Sequence, residues 1–118
     1  MYDYCYTKGM ELKKYRWAKT YEAGEAELVT FLESKNIDAE RWTADMSESF
    51  EAHVHAKDKK LWCSDGSIAF TIGDKTIPLQ AGDALDLPAY TMHSAVAGFM
   101  GCICYEFPHI ADNPGLKD

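Results

Sequence analysis

The chain of 118 residues carries 12 basic and 19 acidic side chains, a formal charge of −7 at neutral pH. That length suits one domain, and 47% hydrophobic with 26% charged residues fits a globular protein rather than a disordered or fibrous one. The acidic balance disfavours non-specific binding to nucleic acid or anionic membrane, because phosphates repel such a surface, and no apolar run reaches the roughly 20 residues that span a bilayer.

Met1 to Tyr6 lack the positive and apolar regions of an export signal, so the expectation is a cytoplasmic protein with Cys5, Cys63, Cys102 and Cys104 as free thiols. Residues Lys13 to Trp17 alternate polar with aromatic and predict a first strand. From Glu22 to Lys35 the period changes. Leu28, Phe31 and Leu32 share one helical face, Glu25, Glu27, Glu33 and Lys35 keep the rest polar, and Asn36 is the predicted stop.

From Arg41 onward the pattern is β. Short strands are predicted over 41–44, 50–55, 59–63, 67–72, 75–79, 84–87, 93–97 and 101–107. Turn signals fall at Ser64-Asp65-Gly66, Gly73-Asp74, Ala81-Gly82-Asp83 and Ala97-Gly98. Many short strands at spacings near ten residues predict a sandwich or barrel. Cys102 and Cys104 alternate across Ile103 and share a strand face, as small buried residues do. The expected organisation is an N-terminal strand and helix over 1–40 belonging to the same domain, a barrel over 41–107, and a loosely held tail over 108–118 that includes His109.

The chemistry concentrates in three histidines. His53-Val54-His55 puts two imidazoles on one strand face, and His93, after the Pro88–Met92 turn, supplies a third ring. Imidazole suits Zn, Cu, Fe and Ni, and three ligands leave coordination positions open, as catalytic metal sites require. The competing reading of the same residues is a partly buried polar pair that holds no metal. Ligation needs neutral imidazole, so metal occupancy is expected to fall below about pH 6.5.

The pattern resembles the cupin superfamily, small jelly-roll β-barrels. In its first motif His53, His55 and Gly66 match at correct spacing, while Ser47 stands at the first Gly and Lys59 at the Glu. In the second, Gly82, Pro88 and His93 match, while Tyr90 replaces a Gly and Ala97 the Asn. The stretch from Trp42 to Glu106 is similar to small bacterial cupins of unassigned function. The resemblance implies an all-β jelly-roll barrel with one amphipathic helix packed outside, and a divalent transition metal (Fe, Ni, Zn or Mn) on His53, His55 and His93. It also implies a small-molecule ligand and a homodimer formed by sheet extension through the N-terminal strand. Three-histidine iron in this superfamily implies an oxygenase; an isomerase-like enzyme and a non-catalytic ligand sensor are the other readings.

Lys59 cannot replace the missing ligand, since a protonated ammonium has no acceptor. Glu51, two residues before His53, is a candidate fourth ligand or a group that orients a histidine ring. Lys59 and Tyr90 are candidates for substrate binding. Lys57, Lys59 and Lys60 together predict a locally basic mouth on an acidic protein.

Overall fold

In the computed structural model, residues 10–18 and 24–108 are described. Seven strands and one helix follow in the order β1 (Lys13–Arg16), α1 (Glu25–Ser34), β2 (Glu40–Ala44), β3 (Ser49–His53), β4 (Lys59–Ile72), β5 (Lys75–Gln80), β6 (Asp83–Leu87) and β7 (His93–Pro108). All strand pairings are antiparallel, in the order β1-β6-β4-β7-β2, with β3 also on β7 and β5 also on β4. This is the expected all-β jelly-roll architecture. Cys5, His109, the start of the predicted helix and the tail lie outside the described residues.

Two predicted turns are not turns. The chain runs through Ser64-Asp65-Gly66 and through Ala97-Gly98, so four predicted short strands become the two long ones, β4 and β7. Register shifts between Cys63 and Asp65 and between Gly66 and Ile68 mark bulges where β4 faces β7. A bulge bends a strand without ending it. Gly66 has φ +71, and a Cβ there would lie 2.0 Å from the Gly101 carbonyl oxygen. Its glycine therefore serves close backbone approach inside the sheet, a signal that sequence alone does not separate from a turn. Gly73-Asp74 does close the predicted hairpin, with Gly73 at φ +63 and Ile72 facing Lys75.

Side-chain alternation divides the packing between two faces. Leu61 and Cys63 on β4, with Ile68, Phe70, Leu79, Leu85, Leu87, Cys102 and Cys104, fill the barrel interior. Trp62, between them in sequence, points to the opposite face and joins Leu28, Leu32, Ala84, Tyr105 and Phe107 in a second core beneath the helix. Alternation along β4 turns Trp62 out of the barrel, yet the residue is only 6% exposed because α1 covers it. Trp17 stacks on it at 5.8 Å, and Phe31 and Phe107 close the other sides.

The helix ends where Asn36 adopts φ +59. The Ile37 amide donates to the Leu32 carbonyl and the Asn36 amide to that of Glu33, so the left-handed residue satisfies carbonyls the helix would leave bare. At the other end, Glu25 accepts from Arg41 of β2 and from the Tyr105 hydroxyl of β7, tying the first helical turn to the barrel.

Strand β1 is held by its ladder to β6 and by a polar cluster on the outer face. Lys60 Nζ lies 2.9 Å from Asp86 and donates to the Tyr15 hydroxyl, which also accepts from Trp62 Nε1. Burial in this cluster pushes the Tyr15 phenol well above its ordinary range.

Candidate metal centre

His53 closes β3 and His93 opens β7, and the two are direct register partners. A register shift between Phe50 and His53 re-aims the end of β3. His55 lies beyond that strand rather than within it, so the two rings of His-x-His do not stand in a row along regular β structure. The irregular backbone brings them closer. Ring centroids are 4.9 Å apart for His53 and His55, 4.3 Å for His53 and His93, and 5.2 Å for His55 and His93. One nitrogen from each ring lies within 4.8 Å of the other two. Two nitrogens that share one ion at about 2.1 Å each are at most about 4.2 Å apart, so the set is close to chelating geometry.

Two of the rings are oriented by backbone. His53 Nδ1 is 2.8 Å from the Glu51 carbonyl oxygen, and His93 Nδ1 is 2.8 Å from that of Thr91. A carbonyl only accepts, so Nδ1 carries the proton and Nε2 keeps its lone pair for a ligand. Burial lowers the pKa of His55, with further lowering by Lys59 and His53 against an opposing pull from Glu106. Burial likewise lowers that of His93, which is 3% exposed, against the opposing Thr91 carbonyl. Both shifts favour the neutral form that binds metal. The donor set therefore fits a borderline divalent metal.

The cluster sits on the wall of a cavity of about 390 Å³. Trp42, Phe50, Leu61, Phe70 and Leu87 make most of that wall apolar, and Lys59, Glu106, Glu40 and Thr43 supply its other polar groups. Lys59 Nζ lies 2.7 Å from Glu106 Oε2. Trp42 Nε1 is a buried donor with no hydrogen-bond partner among the described residues.

The other candidates are placed differently. Glu51 is exposed, and its carbonyl rather than its carboxylate meets the centre, so it stands as a ring-orienting backbone and not within the ligand cluster. Tyr90 is 74% exposed and is not on the cavity wall, though its amide donates to the His55 carbonyl at 2.7 Å. Two of the three lysines expected to make a basic mouth are paired with carboxylates. Lys59 is paired with Glu106, and Lys60 points to the opposite face of β4, where Asp86 neutralises it. Glu106 follows from the same alternation: the period that puts Cys102 and Cys104 inside the barrel puts Glu106 on that face.

Both positions where the chain departs from the motif glycines keep the glycine conformation. Ser47 has φ +57 and Tyr90 φ +59. A left-handed non-glycine residue is strained, so both turns near the site hold a residue where glycine would sit more freely.

No family model and no curated protein matches the sequence. The structure does match solved structures. A cupin superfamily protein of Desulfitobacterium hafniense is 16% identical with a TM-score of 0.56, covering 90% of this chain and 84% of its own. A DUF861 family protein of Thermotoga maritima is 14% identical with a TM-score of 0.58, covering 84% and 100%. A cupin-2 domain protein of Shewanella frigidimarina is 18% identical with a TM-score of 0.53, covering 88% and 85%. At these identities the likeness is one of fold, and the fold of this chain is that of the cupins.

Proposed function

We propose that this chain is a metal-binding cupin that acts on a small molecule, with His53, His55 and His93 as the metal ligands. The observation that carries the reading is the convergence of three imidazoles, two with their protons committed to backbone carbonyls, on the wall of a cavity of small-molecule size. A bound divalent ion would supply Lewis acidity or redox chemistry there. The chain's own residues orient two of the rings through backbone carbonyls, favour the neutral form of His55 and His93 by burial, surround the ligand with apolar side chains, and present one charged pair beside the histidines. A three-histidine oxygenase and an isomerase-like enzyme both fit this arrangement. Ligand sensing without turnover is the second reading, favoured by Lys59 in place of a ligating carboxylate.

Protein loaded with Fe(II) and offered a panel of small organic metabolites separates the readings. Oxygen uptake or product formation supports the enzyme. Melting shifts without turnover support the sensor. A protein that takes up no metal overturns the metal centre and the enzyme reading with it.

The homodimer belongs to the same proposal. β1 is the last strand on its side of the sheet, with exposed Lys13, Lys14 and Arg16, and pairs only with β6 among the described residues. Light scattering that shows a particle of 13.3 kDa removes it. Cytoplasmic residence is supported by the unpaired thiols of Cys63, Cys102 and Cys104, two of them 3.9 Å apart. Residues 1–40 are proposed to form one domain with the barrel, supported by the β1 ladder to β6 and by the shared core beneath α1.

A further inference from the structure

The Lys59–Glu106 pair is an unusual wall for an apolar cavity. Its side chains are only 23% and 14% exposed. An ammonium has three donors, and among the described residues Lys59 Nζ spends one, on Glu106 Oε2. Glu106 accepts that bond at Oε2 and has no described partner at Oε1. In an empty cavity, water satisfies what is left over. A ligand that fills the cavity expels that water, and leaving a charged group short of hydrogen bonds is costly. The ligand must therefore bring an acceptor to Lys59 and a donor to Glu106.

We propose that the pair is the recognition element of the cavity, and that the ligand is a small monocarboxylic acid with a hydroxyl group and an apolar remainder. The carboxylate meets the spare donors of Lys59. The hydroxyl donates to Glu106. The remainder lies against Trp42, Phe50 and Phe70. Glu106 and Glu40, both on the wall, oppose a second or a multiply charged anionic group, which excludes phosphate esters. Register supports a common location: Glu106 faces Glu40 across β2 and β7, and Leu61 of β4 on its other side. The inference rests on the proposed function only in taking this cavity as the ligand site; the metal is not needed for the pair to act.

The test uses three probes of nearly equal size, 3-hydroxybutyrate, butyrate and 1,3-butanediol, in NMR titrations of zinc-loaded and of chelator-treated protein. The expected order of affinity is 3-hydroxybutyrate, then butyrate, then the diol. Lys59→Met should weaken both acids by about tenfold or more, since a hydrogen bond to a charged group is lost, and should leave the diol unchanged. Glu106→Gln should leave butyrate as tight or tighter and reduce the preference for the hydroxy acid. A structural role for Glu106, merely holding Lys59 in place, would instead weaken both acids together. Equal binding of acids and diol, or acids unaffected by Lys59→Met in both forms of the protein, overturns the inference. Zinc content, measured on the same samples, reports on the metal centre separately, so loss of one result does not obscure the other.

Discussion

His53 and His93 face each other across β3 and β7 as register partners, with ring centroids 4.3 Å apart. They lie 40 residues apart in the sequence, and each occupies the terminus of its strand. One ladder rung thus joins the two halves of the site. His55 completes it from irregular backbone, held where its carbonyl accepts the Tyr90 amide.

That last hydrogen bond depends on a strained residue. Tyr90 sits at φ +59, where glycine is free and a tyrosine is not. Tyr90→Gly is expected to keep the turn and to raise stability by up to about 1 kcal/mol, the left-handed cost being partly offset by glycine's greater unfolded freedom. Because Tyr90 is exposed and off the cavity wall, metal content should not change. Thermal melts and elemental analysis of the variant check both parts; a large loss of stability would show that the Tyr90 ring carries contacts of its own.

Gly66 makes the opposite case. Its Cβ-less backbone meets the Gly101 carbonyl, so Gly66→Ala must push β4 from β7 in addition to straining φ. A destabilisation of about 2–4 kcal/mol is expected, in the range of severe backbone and packing lesions. Denaturant unfolding measures it, and a change under about 0.5 kcal/mol would mean that the bulge is looser than described.

Trp62 tests the division into two cores. Trp62→Ala removes the centre of the cluster under α1 and should cost about 3–5 kcal/mol. The cavity residues lie on the other face of β4, so metal binding in the folded fraction should persist. Hydrogen exchange should show α1 losing protection before β7. Simultaneous loss of protection throughout would show that the helix is not a separable layer.

Acid stability should carry the mark of Glu25. Its hydrogen bond with Arg41, then that with Tyr105, hold its carboxyl below the ordinary value of 4.5. A group whose pKa is lower folded than unfolded contributes stability that is present above the unfolded pKa and is lost as pH falls through the folded one. Melting temperature should therefore decline below about pH 4.5, and Glu25→Gln should flatten part of that decline. The effect is small, since the pair is largely solvated. Identical pH profiles for both proteins would contradict it.

The sequence carried the alternation and the helix with its Asn36 stop, because each is a local pattern with one physical meaning, and it carried the three histidines as candidates whose convergence only the fold supplies. It did not separate a bulge from a turn at Gly66, since both need a residue free to adopt φ > 0, and only the opposing Gly101 carbonyl decides between them. Lys59 is marked by its motif position, but its partner carries no local signal. Glu106 lies 47 residues away, and only the pairing of β4 with β7 makes them neighbours. Tyr90 and Glu51 lie close in sequence to the motif histidines, which does not determine where a side chain points.

The most direct test of the metal centre is elemental analysis of the protein after loading and desalting, beside His93→Ala. About one divalent ion per chain is expected in the first and a large loss in the second, with the variant still folded by circular dichroism. Equal, sub-stoichiometric metal in two folded proteins would contradict it.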